Sequence, residues 1–157
     1  MAPTRHPSGQ ALANFLVGDC SPGASLLIAR HVKLCAHCSS RVHAMGSVCV
    51  EASPISFSAE ESLAPGLEIA VVEGVSGLGE AVYRVRAAPG APLPKDDPAP
   101  AVEILVLEGV IEADGEVYRA GDYLSLEATP KMSLLSGAGV GCVYLKATHV
   151  PAGSPAD

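Results

Sequence analysis

The sequence predicts an α+β protein, with an N-terminal zinc-bound helical bundle followed by an antiparallel β-barrel or sandwich. Three observations predict it. Apolar residues as far as Val50 recur three and four apart, the spacing of a single helix face. Within that helical part His31, Cys35 and Cys38 form an H-x3-C-x2-C run, with His6 standing upstream. From Gly79 onward the apolar period drops to two, and turn residues come at close intervals.

The helices follow from their caps and stripes. Ser8 is an N-cap for a helix carrying Leu12, Phe15 and Leu16, which ends at Gly18 or Asp19. Ser21 with Pro22 at the first helical position opens a second, in which Ala24, Leu27 and Ile28 share a face that continues through His31. A third helical stretch, Arg41 to Val50, places Val42, Met45, Val48 and Cys49 on a core stripe.

On one continuous helix, His31, Cys35 and Cys38 at i, i+4 and i+7 fall on the same side. Zinc takes four ligands in a tetrahedron, so three from one helix end leave a corner open, and His6 is the natural fourth. His37, between the cysteines, is the substitute the spacing also permits, although its geometry between two bound cysteines is awkward. A C-x2-C can instead be a redox pair or two core residues. No strand precedes this one, as a redox motif of the thioredoxin type requires. A unit spanning residues 1–52 buries little of itself, and a structural zinc supplies on the order of 10 kcal/mol. The metal is therefore expected to act as a folding element.

Residues 53–79 read as a linker with one short helix, started by Ser58 and Glu61 as an S-x-x-E box and interrupted by Pro65 and Gly66. The strand-rich part spans 80–150, with a tail at 151–157. Its first strand alternates Ala81, Tyr83, Val85 and Ala87 with Val82, Arg84 and Arg86, and Pro89-Gly90 and Pro92 turn the chain. A β-branched run from Val102 to Val110 leads through Ala113-Asp114-Gly115 into Glu116-Val117-Tyr118. Ala120-Gly121-Asp122 turns again into Tyr123 to Leu126, and Gly141 to Thr148 is the last strand.

Composition narrows the function. The 157 residues carry a net charge of −7, with ten Lys and Arg in no basic stripe, which argues against direct nucleic-acid binding. No long apolar run predicts a membrane span, and no signal-peptide pattern opens the chain. Five cysteines, two in the C-x2-C, then point to a reducing cytoplasm. With no Trp and few other aromatics, the core is expected to be aliphatic.

Val106-Leu107-Glu108-Gly109, followed by Glu116, Tyr118 and Ala120-Gly121-Asp122-Tyr123, resembles the V-L-x-G and G-D-x motifs of a cupin, a small jelly-roll barrel. With His6, the H-x3-C-x2-C run and the helix around Phe15, nearly the whole chain resembles the ChrR-type zinc anti-sigma factors. The resemblance implies an N-terminal domain that holds one structural zinc through His6, His31, Cys35 and Cys38. It also implies that this domain clamps an extracytoplasmic-function sigma factor and keeps it off RNA polymerase. A C-terminal cupin then tunes release under oxidative stress, and a homodimer through the cupin is open.

The chain departs from metal-binding cupins, which carry an H-x-H pair and a Glu before the V-L-x-G strand and a His after the G-D strand. Lys95-Asp96-Asp97-Pro98-Ala99 stands in place of the H-x-H, Glu103 falls near the Glu position, and Pro130-Lys131-Met132 holds no histidine. Asp96, Asp97 and Glu103 are an alternative oxygen set for a hard cation. A cupin metal is not expected, and with it no enzyme activity; His149 is alone. Oxidation of Cys35 and Cys38 would eject zinc and is one route for a redox signal, whereas Cys20, Cys49 and Cys142 have no evident partners. Two other readings stay open: a small-molecule-binding or catalytic cupin with an accessory zinc module, and a zinc scaffold for a different protein.

Overall fold

The structure, a computed structural model, describes residues 3–46, 55–73, 80–93, 101–113, 115–126, 134–136 and 139–149. Helix α1 spans Gly9–Leu16, and the Ser8 hydroxyl accepts from the Ala11 amide at its start. Helix α2 spans Pro22–Leu34, with the Ser21 hydroxyl accepting from Ala24 N–H and Pro22 in the first turn. Both starts agree with the sequence reading, because a Ser hydroxyl satisfies an amide that the helix leaves unpaired.

The third helix differs from expectation at both ends. It runs Ala36–Ala44 (α3), and Cys35, extended at φ −120° and ψ 107°, is at once the C-cap of α2 and the N-cap of α3. The continuous helix expected through the metal run is thus broken at Cys35. At about 1.5 Å rise per residue, an unbroken helix would set His31 and Cys38 about 10 Å apart along its axis, too far to share one ion. The break folds Cys38 back. Beyond Ala44 the helix caps at Met45 and turns at Gly46, whose φ is 98°. Val42 is buried as expected, Met45 is 46% exposed, and Val48 and Cys49 lie outside the described residues.

Instead of a short helix, the expected linker contains two strands, β1 (Glu61–Ala64) and β2 (Leu67–Val71). Pro65-Gly66 joins them as a hairpin turn, with Gly66 at φ 76°, a left-handed conformation that glycine adopts without strain. Ser58 does not cap a helix. Its amide donates to Val71 O and its hydroxyl accepts from Val71 N–H, each at 2.9 Å.

The remaining strands are β3 (Glu80–Ala87), β4 (Ala101–Ala113), β5 (Glu116–Arg119), β6 (Tyr123–Leu126), β7 (Leu134–Ser136) and β8 (Cys142–His149). All pair antiparallel in the order β1-β2-β3-β8-β4-β5, with β6 and β7 also on β4. The long strand β4 changes partners partway. Ala101–Gly109 pairs with β8, and Val110–Ala113 pairs with β5. A register shift between Val106 and Glu108 and the left-handed Gly109 lie at the changeover, where a bulge bends a sheet. The expected closed barrel is corrected to an open sheet: among the described residues the ladder does not return to β1.

Because side chains alternate along a strand, the sheet has two packed faces. On one, Val82, Leu105, Leu145 and Ala147 meet Leu12, Leu27, Ile28 and Val32 of the helices. On the other, Val85, Ile104, Val106 and Tyr144 pack with Ile111 and Tyr118. Leu12 and Leu27, fully buried, each contribute about 1.5–3 kcal/mol of apolar burial that holds the helices on the sheet. The helical unit is thereby seated on β3, β4 and β8, which α2 contacts.

Candidate metal centre

His31 comes from the last turn of α2, Cys35 from the break, Cys38 from the first turn of α3, and His6 from the segment preceding α1. Their ligand atoms all lie within 4.8 Å of one another. His6 Nδ1 is 3.4 Å from His31 Nε2, 3.4 Å from Cys35 Sγ and 3.5 Å from Cys38 Sγ. Bonds of about 2.0 Å to nitrogen and 2.3 Å to sulfur at tetrahedral angles put ligand atoms about 3.3–3.8 Å apart. Two imidazoles and two thiols brought this close together could hold one zinc ion. His37 is not part of this cluster. It is exposed, and its ring centroid stands 4.9 Å from that of His6.

The surroundings prepare the donors. His31 is fully buried, and its Nδ1 is 2.7 Å from Gly121 O. A carbonyl only accepts, so Nδ1 carries the proton and Nε2 offers its lone pair to the cluster. Burial lowers the His31 pKa, outweighing the Gly121 carbonyl, and burial with the nearby His37 and Arg41 lowers that of His6. Both imidazoles are therefore biased to the neutral, ligating form. Burial and the neighbouring Cys35 push the Cys38 thiol up to about 11, so a metal entering at neutral pH must displace its proton. The Arg41 guanidinium lies 4.0 Å from Cys38 Sγ and donates to Pro7 O at 3.3 Å.

The segment carrying His6 is held by the sheet. Buried Asp122 accepts from Thr4 N–H at 2.6 Å and Arg5 N–H at 3.1 Å through Oδ1, and from Arg119 N–H at 2.9 Å through Oδ2. The Tyr123 amide donates to Arg5 O at 3.0 Å. In the sequence Gly121 and Asp122 read as a turn and as part of the cupin-like G-D-x motif, with no link to the metal residues. A buried acid in a turn marks a polar role, but its partners lie 117 and 118 positions away, beyond any local pattern.

Other residues singled out in the sequence stand apart from this centre. Asp96, Asp97 and residues 130–132 lie outside the described residues. Glu103 shares its face with Leu105, the helix side, where burial raises the Tyr123 phenol above its ordinary value and the Glu103 carboxylate adds to the shift. It is turned away from the face packed by Ile104, Val106 and Tyr144. Cys20 Sγ is 3.8 Å from Ala11 O, and Cys142 is buried on the second face. His149 ends β8, in register with Glu80 and Ala101. A cleft of about 440 Å³ opens on the helix side of the sheet, lined by Arg30, Phe57, Arg84, Arg86 and Leu107. No helix among the described residues is long and apolar enough to cross a membrane.

A cupin-like antiparallel sheet with a two-histidine, two-cysteine helical module seated on it defines the class. The chain belongs to the ChrR cupin-like domain family, whose model matches residues 48–149. Over 94% of its length it resembles all of a chain from the crystal structure of Rhodobacter sphaeroides SigE in complex with the anti-sigma ChrR, at 20% identity and a TM-score of 0.76. An RmlC-like cupin protein from Ralstonia eutropha matches 68% of this chain and 71% of its own, at 12% identity and a TM-score of 0.47. The cupin domain of an XRE family transcriptional regulator from Enterobacter cloacae matches 55% of this chain and 98% of its own, at 15% identity and a TM-score of 0.45. Comparison with curated proteins gives no significant match.

Proposed function

We propose that this chain is a cytoplasmic, non-enzymatic anti-sigma factor that sequesters an extracytoplasmic-function sigma factor through its helical unit, residues 1–52, held by one structural zinc on His6, His31, Cys35 and Cys38. The observation that carries the reading is the convergence of these four donors, within 4.8 Å of one another, on a helical module in front of a ChrR cupin-like sheet. The helical unit also leaves Val17, Leu34 and Met45 exposed, apolar surface of the kind a partner helix covers. The sheet is the regulatory part. Oxidation of Cys35 and Cys38 would eject the zinc and release the partner under oxidative stress.

The test is co-purification of the tagged chain from its own cells beside Cys35→Ala and His31→Ala variants, with zinc content and bound proteins measured together. A sigma factor present with the zinc-loaded chain and lost with the zinc supports the reading. Zinc without any sigma factor overturns it. The small-molecule alternative draws on the helix-side cleft, where Arg30, Arg84, Arg86 and Glu108 stand beside Phe57 and Leu107 and Glu60 pairs with Arg84 and Arg86.

A further inference from the structure

We infer that the β5–β6 turn of the sheet is the outer support of the metal centre: Asp122 and the Gly121 carbonyl position His6 and His31, so that zinc binding and docking of the helical unit on the sheet form one coupled equilibrium. The inference rests on the four-residue cluster being a zinc site and is independent of the protein partner.

Three observations carry it. The first is the strap. Asp122 accepts the Thr4 and Arg5 amides immediately before His6, while Arg41 of α3 donates to Pro7 O immediately after it. His6 is pinned by the sheet on one side and by the helices on the other. Secondly, the Gly121 carbonyl selects the His31 tautomer that ligates. The third is a close approach. Gly121 has φ 93°, and a Cβ there would stand 2.6 Å from Pro3 Cγ, so the strap lies against a turn that admits no side chain.

Four ligands drawn from two helices and an arm cannot all meet one ion unless the arm is in place. The arm's backbone bonds are to the sheet: Thr4 and Arg5 amides to Asp122, Arg5 O to the Tyr123 amide. A metal ion that requires His6 therefore favours the docked arrangement, and the docked arrangement favours the ion by the same factor. Asp122 is a positioning residue that acts through His6. Distortion of the turn loosens the zinc, and loss of the zinc loosens the strap.

The test uses the full chain and compares Asp122→Asn, Thr4→Pro and, as control, Glu116→Gln, which removes the exposed ion pair with Arg5. Zinc affinity is measured by competition with a chromogenic chelator, and exchange of the Tyr123 amide is followed with and without zinc. Asp122→Asn and Thr4→Pro should each weaken zinc binding about 10- to 100-fold, the usual effect of removing an outer-shell partner, with Glu116→Gln unchanged. In the wild type zinc should slow Tyr123 exchange, and in Thr4→Pro it should not. A purely structural Asp122 would lower metal-free stability and leave both readouts alone. Thr4→Pro keeps the test decisive if Asp122→Asn misfolds, since it removes the Thr4 amide and hydroxyl from Asp122 and leaves Asp122 its bonds from the Arg5 and Arg119 amides. Wild-type zinc affinity in the folded variants overturns this inference alone; a wild type that binds no zinc overturns the metal reading as well.

Discussion

Replacing His6 by alanine separates the metal's contribution from that of packing. His6 is only partly buried, and its Nδ1 contacts are to the other three donors, so the metal-free chain should lose no more than about 0.5 kcal/mol. A structural zinc is worth about 10–16 kcal/mol, or about 2.5–4 kcal/mol for each of four ligands, which weakens binding by about two to three orders of magnitude per ligand lost. At free zinc about 1,000 times the wild-type Kd, the wild type gains about 4.1 kcal/mol. For a chain of this size that raises Tm by about 8–16 °C. Under the same conditions His6→Ala retains about 0.4–1.4 kcal/mol, a shift of about 1–6 °C. Differential scanning calorimetry in chelator and in buffered zinc gives both numbers, and His37→Ala, outside the cluster, should keep the full shift. A full zinc shift in His6→Ala, or its loss in His37→Ala, refutes the assignment of the fourth ligand.

Gly109→Ala should cost at least about 3 kcal/mol, because φ is +75° and a Cβ there would overlap the Gly141 carbonyl; a wild-type denaturation midpoint would show that the β4 bend tolerates a side chain. Stability of the metal-free chain should be fully present above about pH 6.5 and fall as the pH drops toward the lowered folded values of His31 and His6, since the unfolded chain then binds more protons. A urea midpoint that stays flat between about pH 7.5 and 5 would contradict that environment for the two rings. Zinc affinity should rise with pH over the same range, as the Cys38 proton becomes easier to displace.

Much of the molecule is written locally. Ser8 and Ser21-Pro22 cap their helices because capping needs only a hydroxyl a few positions from an unpaired amide. The alternation of β3 likewise sends Val82 to one packed face and Val85 to the other. Donor chemistry and spacing singled out His6, His31, Cys35 and Cys38, and the structure brings these four together.

Elsewhere the local signal was ambiguous. The break at Cys35 carries no Gly or Pro, so residue propensity does not mark it. Segment 61–71 resembled a failed helix because its strand character depends on pairing with β3, a partner the local pattern does not contain. The orientation of Glu103 was hidden too, since Ile104 and Leu105 are both apolar and both faces of β4 are buried.

By itself, then, the sequence determined the helix starts, the strand alternation and the H-x3-C-x2-C run of candidate donors, all of which depend on neighbours within a turn or two. Only the tertiary structure decided that the sheet stays open, that Cys38 folds back, and that Asp122 holds the arm bearing His6. These depend on contacts between residues up to 118 positions apart, whose energy exists only once the chain has closed on itself.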